Sequence, residues 1–310
     1  MPDTPRAMRL ALAGDTMLGR AVAKALGRRP PESLVDPELA EVTRAADLFV
    51  LNLECCISER GEPVPKVFNF RAPPAAVETL LHLGVDCVTL ANNHALDFGP
   101  DALLDTFTHL SEAGIAWVGA GEDEEQARSP TVVQGLPIVA FGDHEPGFAA
   151  GPERPGIAHA DIGRGLPDWL DAQSALVCPH WGPNMEPSPL PYVRSAAREL
   201  REAGAALVAG TSAHVFQGVE GNVLYDLGDF LDDYDRDPVL RNELGLLFLV
   251  DLELDGPRRI EAVPLKLEYT FTGLARGDDA AWIRRRFREA CAEFGTEVLE
   301  EDGRLVIAAR

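Results

Sequence analysis

Short apolar runs alternate with amphipathic stretches along most of the chain. Apolar runs of about four to six residues are typical of buried strands, and the stretches between them carry the periodicity of helices. Several helical stretches end at a glycine, as at Gly27, Gly84 and Gly114. We predict strands at residues 8–13, 47–53, 85–90, 115–119, 175–179 and 205–209, a β-pair at 131–142, and helices at 18–26, 37–46, 75–83, 100–113 and 192–203.

The later part of the chain has a different pattern. Hairpin-like strands are predicted at 223–227 and 244–254, a helix at 280–294 and a last strand at 305–308. Residues 143–167 are rich in glycine and proline and form a lid or an insertion. Strands and helices that alternate early, followed by hairpins, favour a mixed α/β sandwich over a purely parallel sheet. We expect one main domain over residues 1–250, with residues 251–310 completing it or appended to it.

Polar side chains follow several of the predicted strands, at the point where each strand ends. The clearest case follows the strand at 85–90, where Asn92, Asn93, His94 and Asp97 lie close together in the sequence. Burying such groups is costly unless they bind something, and open α/β sheets bind ligands at the carboxyl ends of their strands. The other strand ends carry Asp15, Glu54, His180 and His214. If these strands share a sheet, the polar groups converge at one edge.

A metal site is the chemistry that this set of groups favours. Carboxylate, amide oxygen and imidazole together suit Mn, Fe, Zn, Co or Mg, and the mixed N/O set favours the transition metals. A carboxylate that bridges two ions about 3.5–4 Å apart would form a two-metal hydrolytic clamp. Taken singly, Asp15 could cap a helix, Glu54 could be solvated, and His180 or His214 could be a structural histidine. Their joint occurrence at strand ends favours one convergent site.

The charge balance narrows the range of partners. The chain has 50 acidic and 28 basic residues among 310, a formal net charge of -22. Such a field repels nucleic acid and anionic membranes and concentrates cations, although solubility or a saline habitat explains it equally well. No apolar run approaches the roughly 18 residues of a membrane span. The five cysteines lack the spacing of a disulfide framework, and we recognise no signal peptide, so we expect a cytoplasmic protein. The sequence leaves the oligomeric state open.

Seven motifs in order carry a family resemblance over roughly residues 9–232. They are GDTMLGR at 14–20, NLE at 52–54, FNFRAPP at 68–74, ANNHALDFG at 91–99, HWG at 180–182, AHVFQGVE at 213–220 and YDLGDF at 225–230. With them the chain resembles the CapA family of capsule and poly-γ-glutamate biosynthesis proteins, which are similar to calcineurin-like metallophosphoesterases. The resemblance implies a four-layer αββα sandwich of mixed sheets with a metal centre at one edge.

The resemblance also implies roles for single residues. It implies one or two divalent ions (Mn, Zn, Fe, Co or Mg) and a histidine that protonates the leaving group or steadies the transition state, which here is His94. Arg71 is expected to grip a substrate phosphate or carboxylate and to assist catalysis, because its planar fork suits either anion. The expected metal ligands are Asp15, Glu54, Asn93, His180 and His214, and the expected substrate-binding residues are Arg71, Asn69, Asn92 and Glu220.

Two positions depart from the phosphoesterase pattern. Met17 stands two residues after the first aspartate, where a phosphoesterase usually has histidine, and Thr211 stands where a second histidine is expected. One metal position therefore lacks nitrogen ligands. Either the centre holds a single ion, or oxygen ligands such as Asp97, Glu186 or Glu220 complete it.

Three functions remain open from the sequence. The first is a metal-dependent hydrolase that acts on a phosphoester or a related anionic substrate through activated water. The second is hydrolysis or transfer at a γ-glutamyl amide, where the metal polarises a carbonyl. The third is a non-catalytic role, either as an accessory protein in the assembly or export of poly-γ-glutamate or as a plain binding protein with a degenerate metal site.

Overall fold

Two mixed β-sheets pack face to face, with helices on their outer surfaces. The computed structural model describes residues 7–253 and 255–308. Residues 1–6, 254 and 309–310 lie outside the described residues. Residue 254 is the predicted end of a strand, and the others are the two ends of the predicted domain. Strands β1 to β10 are Met8–Thr16, Leu48–Leu53, Cys56–Ile57, Arg71–Ala72, Cys87–Thr89, Ala116–Val118, Ala120–Gly121, Thr131–Val133, Leu136–Gly142 and Gly156–Ile157.

The remaining elements follow in chain order. Strands β11 to β20 are Leu176–His180, Leu207–Ala209, Val219–Glu220, Val223–Leu224, Asp229–Leu231, Leu244–Glu253, Gly256–Glu268, Phe271–Leu274, Leu299–Glu301 and Arg304–Ala308. Helices α1 to α7 are Arg20–Leu26, Pro37–Arg44, Ala76–Leu83, Pro100–Glu112, Glu124–Arg128, Pro191–Glu202 and Gly277–Ala292. Short 3-10 helices occupy Pro31–Leu34, Pro146–Phe148 and Ile162–Arg164.

The larger sheet has ten strands and combines parallel and antiparallel halves. Its main order is β19-β20-β17-β16-β1-β2-β5-β6, with β15 paired to β1 and β18 to β17. Strands β1, β2, β5 and β6 are parallel, because helices connect them. Strands β16 to β20 add as antiparallel neighbours. The carboxyl ends of β1, β2 and β5 therefore lie at one edge.

The smaller sheet has six strands in the order β13-β14-β12-β11-β9-β8. Strands β9, β11, β12 and β14 are parallel, and β8 and β13 close its two edges as antiparallel strands. Each parallel strand is short and buried on both faces, which explains its nearly continuous apolar sequence. Strand β11 ends at His180, and the loop after β12 carries Thr211 to His214.

Three apolar clusters separate the four layers. Alternate residues of β1 point to opposite faces, as a strand requires. Leu10 and Leu12 join the cluster between the two sheets with Leu176, whereas Ala11 and Ala13 face helices α1 to α4. Helices α5 and α6 cover the outer face of the smaller sheet. The predicted four-layer αββα arrangement of mixed sheets is confirmed.

The structure differs from the prediction mainly in short elements. Strand β1 continues to Thr16, because Asp15 pairs with Asn52 and Asp229. No strand is predicted between residues 54 and 84, yet the structure has two short strands there, β3 and β4, which pair with each other. Strands this short depend on a tertiary partner, so local sequence does not specify them. Within the described residues, no helix combines the length and the apolar character that crossing a membrane requires.

A buried ion cluster joins the first strand to the last ones. Glu261 of β17 is 7% exposed. It accepts hydrogen bonds from Arg259 at 2.8 Å and Arg304 at 2.6 Å, and Arg9 of β1 lies 2.8 Å away. Burial alone would raise the pKa of Glu261, but the bonds from Arg259, Arg304 and Arg9 lower it to about 2. The carboxylate therefore stabilises the fold while it is charged.

Glu261→Gln is predicted to lower the free energy of unfolding at neutral pH by about 1.5–3 kcal/mol, because charge-assisted hydrogen bonds are lost. The native pKa lies below the unfolded one, so this stabilisation is complete above about pH 4.5 and disappears as the pH falls towards 2. Urea unfolding of both proteins across this pH range measures the difference. Glu268→Gln, at an exposed position of the same strand, is the control, and an equal loss there would contradict the assignment.

Candidate metal centre

The strand ends of both sheets meet around one buried carboxylate. Asp15 lies near the end of β1, Glu54 follows β2, and His180 ends β11. All three are nearly or fully buried. Asn93 and His94 come from the loop after β5, and His214 from the loop after β12. The Asn93 side-chain oxygen lies 2.8 Å from His180 Nε2. The structure therefore brings together the five predicted metal ligands and the predicted proton donor.

Glu54 is the centre of this group. Its Oε2 accepts a hydrogen bond from the Tyr234 hydroxyl at 2.8 Å. Its Oε1 is buried and has no hydrogen-bond partner among the residues that the structure describes. Three imidazole nitrogens face this oxygen, the Nε2 atoms of His94 at 4.0 Å, His180 at 3.9 Å and His214 at 4.0 Å. An oxygen in this position has lost its hydration without gaining a hydrogen bond.

These spacings suit a shared ion. A separation near 4 Å is too long for a hydrogen bond. Zinc bonds to imidazole nitrogen and carboxylate oxygen are about 2.0–2.2 Å, so two ligand atoms on one ion lie about 4 Å apart or closer. Ligand atoms of Asp15, Glu54 and His214 all lie within 4.8 Å of one another. The mixture of carboxylate and imidazole donors also fits a divalent transition metal, so these residues could hold one.

The protonation of the site follows from burial and from neighbouring charges. Burial raises the pKa of Glu54 well above its usual range, and Asp15 raises it further. Burial lowers the pKa of His180 to about 3, although the Asp15 carboxylate opposes the change. His180 is therefore a neutral imidazole, which is the form that binds metals. Its Nε2–H donates to Asn93 Oδ1 at 2.8 Å, and an ion held by both side chains would replace that proton. Burial would lower the pKa of His214 as well, but Asp229 and Glu54 raise it well above its ordinary value.

His94 is held by a stacked ring and a carboxylate. Its Nδ1 lies 2.5 Å from Asp97 Oδ2, and its ring stacks on Phe70 with centroids 3.9 Å apart. Asp97 also accepts hydrogen bonds from the Phe70 backbone N–H at 2.7 Å and from Lys66 Nζ at 2.9 Å. Because a carboxylate only accepts, the Nδ1–H of His94 donates to Asp97, and Nε2 is turned towards Glu54.

The two departures from the phosphoesterase pattern have structural roles. Thr211 Oγ1 lies 2.9 Å from His180 Nδ1 and orients that ring. Met17 is buried, and its Sδ accepts the Gly19 N–H at 3.0 Å. Neither residue supplies a nitrogen ligand. Asp97, which we considered as a replacement ligand, is occupied by His94 and Lys66.

Two of the predicted substrate-binding residues, Asn69 and Asn92, have their side-chain amides hydrogen-bonded within the protein. Asn69 donates to the backbone carbonyls of Val64 and Asp97. Asn92 is fully buried and donates to the Asn52 side chain and the Leu53 carbonyl. Both asparagines therefore stabilise the loops that carry His94.

Arg71 and Glu220 lie elsewhere. The Arg71 guanidinium packs on Phe98, 4.1 Å from the ring centroid, and donates to the backbone carbonyls of Arg60 and Gly61. Glu220 is on the edge strand β13, where it accepts from Tyr225 at 2.6 Å and pairs with Arg201 at 3.4 Å. Among the described residues, neither contacts the groups around Glu54, so the geometry does not support either role.

Three residues of the centre had no predicted role. Asn52 donates to Asp15 Oδ1 at 2.7 Å, and Tyr234 holds Glu54. Asp229 Oδ1 lies 2.8 Å from His214 Nδ1, an arrangement that orients metal-binding histidines in many proteins. Burial raises the pKa of Asp229 to about 8. The sequence signal that could have predicted Asp229 is the acid-rich run after residue 225, because this run follows a short strand, as the other site residues do.

Comparisons with known proteins place the chain in a family. Residues 9–234 match the family described as bacterial capsule synthesis protein PGA_cap. A probable polyglutamine synthesis accessory protein of Mycobacterium tuberculosis is 27% identical over 99% of this chain and 97% of its own length. The PGA biosynthesis protein CapA of Bacillus subtilis is 28% identical over 83% of this chain and 71% of its own length. The capsule biosynthesis protein CapA of Bacillus anthracis is 25% identical over 84% and 67%.

A solved structure, TT1561 of Thermus thermophilus, covers 80% of this chain and 97% of its own chain, at 13% identity and a TM-score of 0.37. The family match covers all seven motifs on which the CapA resemblance is based. The chain therefore belongs to the bacterial capsule synthesis protein family PGA_cap, and the predicted CapA membership is confirmed.

Proposed function

We propose that the protein is a metal-dependent hydrolase that acts on a phosphoester or a related anionic substrate. The observation that carries this proposal is the buried Oε1 of Glu54, which lies 3.9–4.0 Å from three imidazole nitrogens and lacks a hydrogen-bond donor in the described part of the chain. A purely structural carboxylate in the core would be expected to have such a donor.

The proposed ligands are Asp15, Glu54, Asn93, His180 and His214. When bound, a divalent ion supplies Lewis acidity and makes hydroxide available near neutral pH. Tyr234 fixes the Glu54 carboxylate through its hydroxyl, and Asp229 fixes the orientation of His214. These outer contacts keep the ligand atoms in place before substrate arrives.

His94 is the proposed proton donor. Its Nε2 faces the same space as Glu54 Oε1, and the stacked Phe70 ring fixes its plane. Burial lowers the pKa of His94, and the hydrogen bond from Nδ1–H to Asp97 opposes that change, so Nε2 can still take up a proton and pass it on. Lys66 Nζ in turn donates to Asp97 Oδ1 at 2.9 Å and holds that side chain in place. The leaving group would accept the proton from Nε2 as its bond breaks.

Two alternatives depend on the names of the relatives. Two CapA relatives are named for biosynthesis of PGA or capsule, and the mycobacterial relative is named a synthesis accessory protein. Hydrolysis or transfer at a γ-glutamyl amide would use the same ion and the same proton donor. A non-catalytic accessory role would need neither, so the order of the site around Glu54 favours catalysis. A screen of phosphoesters and γ-glutamyl peptides with several divalent ions separates these functions.

Glu54→Gln is predicted to weaken the binding of Mn²⁺ or Zn²⁺ by at least about a hundredfold, because it removes the central charged ligand. Isothermal titration calorimetry on protein stripped by a chelating resin measures this affinity. Glu112→Gln, at an exposed position of α4, is the matched control and should bind metal as the wild type does. Equal metal affinity in Glu54→Gln and wild type would refute the proposed ligand set.

His94→Gln is predicted to lower kcat by about 10²–10⁴-fold on any substrate found in the screen, because the proton donor is lost. Metal content, measured by mass spectrometry of the purified protein, should stay at the wild-type level. Asp97→Asn should give a smaller loss of kcat, since the imidazole remains but is no longer held in one tautomer. His109→Ala on α4 is the control. Loss of metal from His94→Gln would instead make His94 a ligand.

A further inference from the structure

Basic side chains near the candidate metal centre differ in how many of their N–H donors are hydrogen-bonded within the protein. Lys66 Nζ donates to Asp97 and to the Asn93 carbonyl, and Arg71 donates to two loop carbonyls. Arg20 makes one ion pair within the described ranges, 3.2 Å to Asp233, and 38% of its side chain is exposed. A guanidinium has five N–H donors. Arg20 therefore has most of its donors left for a ligand, and it lies nearer the rings that contact Glu54 and His94 than Arg71 does, whose guanidinium packs on Phe98.

Arg20 lies one aromatic ring away from the centre. Its guanidinium carbon is 5.5 Å from the centroid of Phe70 and 5.9 Å from that of Tyr234. The Phe70 ring stacks on His94, and the Tyr234 hydroxyl bonds Glu54. The guanidinium is thus too far from Glu54 and His94 to bind the same anionic group as they do. It is close enough to contact another part of a ligand whose first anionic group lies at the centre.

The backbone holds Arg20 in an uncommon conformation. Its φ is +49°, in the left-handed region that non-glycine residues seldom adopt. Asp233 stabilises this conformation, because its Oδ2 accepts the Ala21 N–H at 2.8 Å while its Oδ1 pairs with Arg20. Phe68, which is 59% exposed, lies 5.8 Å from the guanidinium carbon. A fixed cation beside an exposed ring provides polar and apolar contacts for a ligand.

We propose that Arg20 binds a second anionic group of the substrate, whose first anionic group lies at the centre around Glu54. The substrate class is therefore a molecule with at least two carboxylate or phosphate groups joined by an apolar spacer that contacts Phe68. This inference rests on the proposed function. A chain of net charge -22 repels such molecules unless a cation compensates locally, and a planar guanidinium binds either oxyanion with two hydrogen bonds.

Two pairs of ligands test this subsite by binding alone. Tri-γ-glutamate is compared with glutamine, and hexane-1,6-diol bisphosphate, whose spacer is apolar, with hexyl phosphate. Calorimetry is run on protein stripped of metal by a chelating resin and again with Mn²⁺, so that binding is read independently of turnover. Arg20→Met should weaken the binding of a multiply anionic ligand by about tenfold, and that of its singly anionic counterpart by less than about twofold. Arg20→Lys, which keeps the charge but loses the fork, should fall between.

Arg128→Met is the matched control. Arg128 has the same 38% exposure, pairs with one carboxylate and lies 5.5 Å from the Trp169 centroid, so its loss should leave every affinity unchanged. A loss confined to tri-γ-glutamate identifies a carboxylate ligand, and one confined to the bisphosphate identifies a phosphate ligand. The proposal is overturned if wild type shows no preference for either multiply anionic ligand. It is also overturned if Arg20→Met keeps that preference or if Arg71→Met alone loses it. Failure of the proposed function would appear separately, as absent metal binding.

Discussion

The organisation of this protein depends on the burial of one carboxylate. Glu54 is fully removed from solvent, and one of its oxygens receives no hydrogen bond from the residues that the structure describes. Without a cation, burial drives this carboxyl group towards its neutral form, which is why the pKa of Glu54 is raised, and a bound cation would hold it as the carboxylate. The imidazole nitrogens of His180 and His214 that face this oxygen are the arrangement expected around a cation, and His94 faces the same space as the proposed proton donor.

The fold provides this arrangement through its parallel strands. Strands β1, β2 and β5 of one sheet and β11 and β12 of the other end on the same side of the apolar core, so their following loops converge. The rigid layers position the ligands, and the loops supply the outer contacts from Asp97, Asp229 and Tyr234. Different residues therefore serve stability and the proposed function. The Glu261 cluster joins strands of the larger sheet, whereas the group around Glu54 leaves polar atoms available for a ligand.

The apolar pattern predicted much of the fold and the centre. Asp15, Glu54, His180 and His214 could be predicted because each follows an apolar run directly, a pattern that the sequence alone shows. The sequence does not show the direction in which a side chain points. Arg71 and Glu220 lie in matching motifs, yet their side chains turn to Phe98 and Tyr225. Arg20 and Asp229 acquire their positions only when distant segments fold together, as the pairing of Arg20 with Asp233 shows.

The most direct test of the proposed metal centre is a crystal structure of the protein grown with Mn²⁺, with diffraction data collected at the manganese absorption edge. We predict an anomalous peak bonded to Glu54 Oε1, with Asp15 and His214 among its other ligands and His94 left free at Nε2. No anomalous peak at this position under saturating Mn²⁺, with Glu54 Oε1 hydrogen-bonded to water or to a protein donor instead, would contradict it.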